Sequence, residues 1–195
     1  APLICDMSSD IFSKPVDVAK FDLIYAGAQK NMGPAGATLV IVKKSALGKS
    51  GRYIPTMLDY NTHISKGSMF NTPPVFSVYV SMLTLRWLKN FGGVKAIQER
   101  NEAKAKLLYD EIDRNPLFKG TAEVEDRSTM NACFLLNDED AHKEAFEKLV
   151  AAAKISGING HRSVGGYRAS MYNALGLDSV EALVGCMKEL EAQFS

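Results

Sequence analysis

Short apolar runs and longer amphipathic stretches divide the sequence into predicted strands and helices. The short runs, bounded by turn-forming residues, predict three strands in the first part of the chain: residues 3–5, 23–25 and 38–43. The first of these is expected to be buried. Apolar residues at helical spacing then predict two long helices, 75–90 and 94–114, which the Gly92-Gly93 pair separates. After these helices the pattern alternates between strand and helix, with predicted elements at residues 129–136, 138–155, 167–172 and 178–194.

The change of pattern near residue 90 predicts two domains in an α/β protein. Residues 1–90 would form the end of a large domain, and residues 91–195 a small α+β domain. Residues 48–68 are rich in Gly, Ser, Thr and Tyr and predict a long loop. A loop of that length in a compact domain is usually functional or part of an interface.

The second long helix has a charged face that we expect to be solvated. This face is formed by Lys95, Glu99, Arg100, Glu102, Lys104 and Lys106. The apolar residues of this helix, which we expect to face the core, are Ile97, Leu107, Leu108 and Ile112.

Composition and charge narrow the functional classes. The 195 residues include 23 Lys and Arg against 22 Asp and Glu, and a net charge of +1 gives no reason to expect binding to nucleic acid or to a membrane surface. The three cysteines, Cys5, Cys133 and Cys186, lack metal-ligand spacing, and their odd number argues against a disulfide framework. This favours a reducing, cytoplasmic compartment. The chain begins inside a predicted strand without Met, so we expect it to belong to a longer polypeptide.

One lysine lies among small residues between two predicted strands. Lys30 follows the strand at 23–25 and precedes a turn that contains Gly33 and Gly36. Such a lysine is either an ordinary turn residue or a Schiff-base lysine, whose amine reacts only when its pKa is lowered. The spacing alone favours the ordinary turn residue. Asp6 ends another predicted strand, and in a parallel sheet the two strand ends would be neighbours.

Four blocks of the sequence, in this order, together resemble the phosphoserine aminotransferase family. The blocks are residues 5–9 (Cys-Asp-Met-Ser-Ser), 26–36, 70–74 (Phe-Asn-Thr-Pro-Pro) and 160–170. Members of this family are class V pyridoxal-phosphate (PLP) enzymes of the aspartate-aminotransferase-like fold type I. The resemblance covers the whole chain and places it in the C-terminal half of the family. It implies an α/β fold with the end of the large mixed-sheet domain and a small C-terminal α+β domain.

The resemblance implies a cofactor site for PLP. Lys30 would be the catalytic residue and would hold the cofactor as a Schiff base, and Asp6 would pair with the pyridinium nitrogen. Gln29 would donate to the phosphate, and Asn71 and Thr72 would reach the phosphate of the neighbouring subunit's cofactor. Without the resemblance, Asp6 is better interpreted as a cap or turn residue. Asn71 and Thr72 also fit a helix start, with Thr72 as the N-cap.

The resemblance also implies a substrate site. Arg168 would bind the α-carboxylate of the substrate, because a guanidinium fork suits a planar carboxylate. His161 and Arg162 would meet the substrate phosphate or the distal carboxylate of glutamate. As single residues His161 and Arg162 would be interpreted as surface charges, but the three side chains together within eight positions favour an anion pocket. No residue is assigned to a metal.

The implied activity is amino-group transfer between L-phosphoserine and 2-oxoglutarate, which gives 3-phosphooxypyruvate and L-glutamate. The pathway would be serine biosynthesis and, in many bacteria, PLP biosynthesis as well. The implied assembly is a cytoplasmic homodimer. The chain alone is expected to be inactive, since the family places the aromatic residue that stacks on PLP further upstream. Two alternatives remain open: another class V PLP aminotransferase, or a non-catalytic fragment that serves folding or dimerisation.

Overall fold

The structure, a computed structural model, describes residues 1–160 and 165–194. The chain divides into two compact units, Ala1–Val94 and Lys95–Ser195. Each unit contains its own three-stranded sheet. Within the described residues, no helix has both the length and the apolar character that crossing a membrane requires.

The sheet of the first unit is mixed. It is formed by β1 (Ile4–Asp6), β2 (Leu23–Gly27) and β3 (Thr38–Val42), with β2 in the centre. β1 and β2 are parallel, whereas β2 and β3 are antiparallel. The mixed sheet agrees with the predicted fold class. Because β1 and β2 run in the same direction, their carboxyl ends lie at one edge of the sheet.

The rest of the first unit contains several helices and helical turns. They are the 3₁₀ turns Val18–Lys20, Lys44–Ala46 and Thr56–Leu58, the short helix α1 (Tyr60–Ser65) and the long helix α2 (Val75–Phe91). The prediction of a loop throughout residues 48–68 is therefore wrong. Asp59 starts α1 by accepting a 2.9 Å hydrogen bond from the amide of Asn61, a capping signal without the apolar periodicity that a longer helix shows.

The apolar core of the first unit is small. Its buried members are Met7, Ile11, Ile24, Ala26, Ala28 and Met32. The expectation that the first strand is buried is wrong for this chain, because Ile4 is 61% exposed and β1 pairs with a neighbour on one side only. Small side chains on β2 and the following turn leave room for close backbone packing there.

The second unit packs three helices with an antiparallel sheet. The strands are β4 (Phe118–Gly120), β5 (Asn131–Leu136) and β6 (Tyr167–Ser170), with β5 in the centre. The helices are α3 (Gly93–Arg114), which begins at the end of the first unit, α4 (Glu139–Ala152) and α5 (Leu177–Phe194). β4 was not predicted, because its three residues, Phe-Lys-Gly, contain no apolar run.

A cluster of aromatic rings lies in the centre of the second core. Phe134 stacks on Tyr167 with 5.5 Å between ring centroids, and Phe118 and Phe146 meet edge to face at 5.2 Å. Phe134 and Phe146 are fully buried. The alternation of buried and partly exposed residues along β5 places one face of the strand against this cluster. The sheet that carries Arg168 is therefore built on a well-packed core.

Candidate active site

The carboxyl ends of β1 and β2 bring two of the predicted residues to one edge of the sheet. The parallel register pairs Asp6 with Tyr25, and the amide of Met7 continues the ladder by donating to the Tyr25 carbonyl at 2.8 Å. The turn that carries Lys30 begins directly after β2. The expected adjacency of the two strand ends is thus present, and it follows from the parallel pairing.

Asp6 lies in a network of hydrogen bonds at this edge. The hydroxyl and the amide of Ser8 donate to its carboxylate and lower its pKa most, and the Tyr25 hydroxyl and the positive charge of Lys30 lower the pKa further. The negative charge of Asp6 in turn raises the pKa of Tyr25. Asp6 is therefore an ionised carboxylate at neutral pH.

Asp6 also acts as a turn residue, which is the interpretation that the sequence favours without the family resemblance. Asp6 Oδ1 accepts the Ser8 amide at 2.8 Å, two residues along the chain, as turn-forming aspartates do. The Ser8 hydroxyl also accepts the Gly27 amide at 3.0 Å, so Ser8 connects β1 to the end of β2. Sequence reasoning missed Ser8 and Tyr25, because neither has a spacing signal. The turn role and a role in binding a cofactor are compatible.

Lys30 and Gln29 lie exposed on a tight turn. The turn is closed at its base by the amide of Ala28, which donates to the carbonyl of Ala37 at 3.0 Å. The Ala28 carbonyl accepts from the amides of Met32 and Gly33, at 3.1 and 2.8 Å. These bonds hold the backbone around Lys30 in one conformation and leave its side chain accessible from solvent.

Asn31 connects the Lys30 turn to the loop that follows Asp6. Its side chain is 4% exposed, and its amide nitrogen donates to the carbonyl of Ile11 at 3.0 Å. The same nitrogen lies 3.5 Å from the carbonyl of Ser9. Two backbone carbonyls of the loop are thus satisfied by the residue next to Lys30. The sequence contains no signal for this contact, since an Asn in a Gly-rich turn is ordinarily explained by the turn itself.

Helix α2 packs closely against the glycines of the same turn. Ser77 Oγ donates to the Ala35 carbonyl at 2.8 Å, and a Cβ on Gly36 would lie 2.7 Å from this oxygen. A Cβ on Gly33 would lie 2.7 Å from Ser81 Oγ and 3.1 Å from the backbone Cα of the same serine. In this chain the glycines therefore allow the close approach of a helix of the same molecule.

Gly33→Ala is expected to lower the free energy of unfolding by about 1–3 kcal/mol, because the added methyl group overlaps the backbone of α2 and not only a flexible side chain. Chemical denaturation followed by circular dichroism would measure the change. The matched control is Gly185→Ala in α5, where a new Cβ meets no atom within 4 Å. It should stabilise the protein by up to about 1 kcal/mol through helix propensity. Equal stability of Gly33→Ala and the unmodified chain would contradict the packing argument.

Asn71 and Thr72 are exposed on the segment before α2. Asn71 Nδ2 donates to the Thr72 carbonyl at 3.1 Å, within this segment. The interpretation of Thr72 as an N-cap is wrong: Pro74 occupies the N-cap, without a side-chain hydrogen bond, and α2 starts at Val75. Each residue before a proline is pushed away from helical backbone angles, so Pro73 and Pro74 delay the helix. The hydroxyl of Thr72 is not used to cap α2.

Arg168 lies in β6 of the second unit, where it pairs with Cys133 of β5. Its amide donates to the Ile158 carbonyl at 2.7 Å, and its side chain is exposed. It lines a cavity of about 470 Å³ together with Ser156, Ser170 and Asp178. A cavity of this size accepts a small organic molecule. The predicted residues His161 and Arg162 lie outside the described residues.

The described part of the chain contains no cluster of side chains suited to bind a metal ion. Residues 1–160 and 165–194 contain no group of three or more His, Cys, Asp and Glu side chains that could hold a metal ion. The three cysteines are free thiols, and Cys186 is buried in the second core. Burial raises the pKa of the Cys186 thiol, which makes it a poor nucleophile.

The chain belongs to the class-V aminotransferase family, whose model matches residues 1–183. A more specific likeness is to the phosphoserine aminotransferase of Flavobacterium psychrophilum, which is 70% identical over 190 residues that make up 97% of this chain and 53% of that protein. The chain thus spans about half the length of the curated relatives that it matches.

Solved structures show the same likeness in three dimensions. A phosphoserine aminotransferase studied for radiation damage of its Schiff base superposes with a TM-score of 0.92 and is 49% identical, over 99% of this chain and 53% of that one. The phosphoserine aminotransferase of Bacillus circulans subsp. alkalophilus has a TM-score of 0.94 and 45% identity, over 100% of this chain and 54% of that one. The predicted α/β fold of PLP-dependent transferases is confirmed.

Proposed function

We propose that this chain is the C-terminal part of a phosphoserine aminotransferase. The reaction is amino-group transfer between L-phosphoserine and 2-oxoglutarate, which gives 3-phosphooxypyruvate and L-glutamate in serine biosynthesis. The observation that carries the proposal is the parallel register of β1 and β2, because it brings an ionised Asp6 to the strand end from which the Lys30 turn starts. The names of the similar proteins support the same activity.

The two side chains fit the demands of PLP. One amine and one carboxylate lie at a common sheet edge, and the positive charge of Lys30 is close enough to act on Asp6. When bound, PLP supplies an electron sink for the bond that breaks at the substrate α-carbon. Lys30 would hold the cofactor covalently, and its amine would move a proton at that carbon. Asp6 would keep a proton on the pyridine nitrogen by charge attraction.

Hydrogen-bond donors for the cofactor phosphate come from two places in the proposal. Gln29 lies beside Lys30 on the exposed turn, and its side-chain amide is a donor. Asn71 and Thr72 serve the cofactor of a second copy of the chain in a homodimer. Their exposure, and a Thr72 hydroxyl not used to cap α2, support this role. The exposed apolar residues Phe76 and Tyr53, at 73% and 89%, also suit contact with further protein.

The substrate anions are bound from the second unit in this proposal. Arg168 binds the α-carboxylate, and its exposed side chain on an ordered strand supports the assignment. His161 and Arg162 bind the phosphate of phosphoserine or the distal carboxylate of glutamate. Residues 1–90 contribute the cofactor contacts of the large domain and residues 91–195 form the small domain. The compartment is the cytoplasm, in keeping with three free thiols.

A comparison of amino donors tests the proposal in the protein that contains this chain together with any sequence preceding Ala1. L-Phosphoserine and L-alanine are offered with 2-oxoglutarate, and glutamate formation is measured. We expect kcat/KM for phosphoserine to exceed that for alanine by about 10³-fold or more, because alanine leaves the cations meant for the phosphate unpaired.

The same assay on the 195-residue chain alone is the control, and we expect no activity there. Lys30 and Asp6 are both exposed to water in this chain, so the chain alone gives a cofactor little enclosure. A preference for alanine would contradict the proposed substrate. Transamination of neither donor by the longer protein would contradict the proposed function as a whole.

A further inference from the structure

Lys104 is fully buried, although it lies on the face of α3 that the sequence predicts to be solvated. Its exposed fraction is 0%, whereas Lys95, Glu99 and Lys106 on the same predicted face are exposed. The prediction of a solvated charged face is therefore wrong at this position. An ammonium group away from water is costly unless polar atoms compensate it, so the surroundings of Lys104 must supply them.

Three backbone carbonyl oxygens accept hydrogen bonds from Lys104 Nζ. They belong to Met171, Tyr172 and Leu175, at 2.9, 2.9 and 3.2 Å. All three N–H donors of the ammonium are used in this way. These carbonyls belong to the segment between β6 and α5, residues 171–175, which we call the β6–α5 turn. The main-chain oxygens of one turn thus compensate the positive charge of Lys104.

Two further residues of α3 contact the same turn. Arg100 Nη2 donates to the Leu175 carbonyl at 3.0 Å, and Asn101 Nδ2 donates to Asn173 Oδ1 at 2.9 Å. Asn101 and Asn173 are also buried, at 1% and 2% exposure. Residues three and four positions apart share one face of a helix, so one face of α3 holds the whole turn.

The charge state of Lys104 agrees with this arrangement. Burial and, to a smaller extent, the positive charge of Arg100 lower the pKa of Lys104 to about 8. The three carbonyl oxygens oppose this effect because they accept from the charged form. Lys104 therefore carries an ammonium group at pH 7, with three donors for three acceptors.

The β6–α5 turn determines where β6 ends. β6 has four residues and a ladder with β5 on one side, while on the other side the described residues give it one isolated bridge, between Asn159 and Tyr167. Directly after the strand, the Met171 amide donates to the Met130 carbonyl at 2.7 Å, and the Met171 carbonyl accepts from Lys104. A strand this short depends on the contacts at its ends. Arg168 lies three residues before that contact.

We propose that Lys104 is a positioning residue, which holds the carbonyls of the β6–α5 turn and thereby sets the direction in which Arg168 presents its guanidinium to the carboxylate of the amino-acid substrate. The inference rests on the proposed function, in which Arg168 binds this carboxylate. Lys104 acts through β6 and Arg168. Its loss weakens substrate binding more than it slows the chemical step.

Lys104→Met tests the inference in the protein that contains the chain and any preceding sequence, loaded with PLP. The substitution keeps an unbranched side chain and removes all three donors. We expect KM for both phosphoserine and glutamate to rise about tenfold or more while kcat stays within about threefold, because carboxylate binding common to both substrates is lost. The visible absorbance of the bound cofactor should not change.

Lys106→Met is the matched control, two positions further along the same helix. Lys106 is exposed and forms an ion pair with Asp110 at 2.6 Å, so its loss should leave both KM values unchanged. Amide hydrogen exchange gives a readout that does not depend on activity. The amides of Met171 and Leu175, the second of which donates to the Tyr172 carbonyl at 2.9 Å, should exchange faster in Lys104→Met and not in Lys106→Met.

Arg168→Gln, alone and combined with Lys104→Met, separates this inference from the proposed function. If Lys104 acts through Arg168, the double variant has no higher KM than Arg168→Gln alone, whereas additive effects would overturn the inference. An unchanged KM in Arg168→Gln would overturn the proposed role of Arg168 and this inference with it. A raised KM in Arg168→Gln together with an unchanged KM in Lys104→Met would overturn the inference alone.

Lys104→Gln replaces Lys104→Met if the latter fails to fold. The glutamine amide supplies two of the three donors without a charge, so we expect a KM between those of the unmodified protein and Arg168→Gln. A folded Lys104→Gln protein with faster exchange at Met171 and Leu175 and an unchanged KM would overturn the inference.

Discussion

Lys30→Ala is expected to lower kcat for phosphoserine by about 10⁴-fold or more in the PLP-loaded protein that contains this chain, because it removes both the covalent attachment of the cofactor and the group that moves the proton. The visible absorbance of the lysine-bound cofactor should disappear. Stability should change little, because the Lys30 side chain is exposed and the turn is held by backbone hydrogen bonds of Ala28. Stopped-flow kinetics and an absorbance titration with PLP measure the two effects.

Lys20→Ala is the control for this substitution. Lys20 is also an exposed lysine of the first unit, in the 3₁₀ turn Val18–Lys20 that precedes β2. Its replacement should leave kcat and the cofactor absorbance unchanged. Retention of the absorbance band in Lys30→Ala, or its loss in Lys20→Ala, would show that the cofactor is held by a different lysine.

Asp6→Asn is expected to lower kcat by about 10²–10³-fold, since the neutral amide no longer holds a proton on the pyridine nitrogen and the cofactor withdraws electrons less well. The substitution keeps an oxygen that can accept the Ser8 amide, which Asp6 Oδ1 accepts at 2.8 Å, so β1 should end as before. The affinity for PLP should also fall. Steady-state kinetics and PLP titration measure both quantities.

Asp17→Asn is the control for the loss of a carboxylate. Asp17 caps the 3₁₀ turn by accepting the Ala19 amide at 3.1 Å, and asparagine is an equally good cap. Its kcat should therefore match that of the unmodified protein. Full activity of Asp6→Asn would remove Asp6 from the proposed cofactor site and leave only its role in the turn.

Apolar patterning predicted the elements of the fold well where they are long. The helices at residues 75–90 and 94–114 are observed within one residue as α2 and α3, because their periodicity extends over several turns. The short elements β4 and α1 were missed because they contain no apolar run, whereas short strands such as β1 and β2 were predicted from theirs. The sequence indicated that Asp6 and Lys30 follow strand ends that would be neighbours in a parallel sheet, and β1 and β2 do pair in parallel. The chemistry of the two residues came only from the resemblance.

Contacts between a side chain and a main-chain segment far away in the sequence could not be predicted. Lys104 lies seven residues after Ile97 and four before Leu108, so its helical spacing places it on the apolar face, although its charge led to the prediction that it is solvated. Only the three-dimensional course of the β6–α5 turn shows that three carbonyls accept its hydrogen bonds. The contact between α2 and the glycine turn is of the same kind, because Gly33 and Ser81 are far apart in sequence. Periodicity reports which face of a helix is apolar, and it does not report where an opposing backbone leaves polar groups unsatisfied.

The bond from Asn31 to the Ile11 carbonyl bears on the entropy of cofactor capture. This hydrogen bond joins the loop after Asp6 to the turn that carries Lys30 in the absence of a cofactor. The loop and the turn therefore do not have to be ordered when a cofactor binds. A binding step that orders little of the chain retains more of its interaction energy as affinity. If Lys30 and Asp6 hold PLP as proposed, Asn31 would contribute to its affinity by preorganisation without touching a reactant.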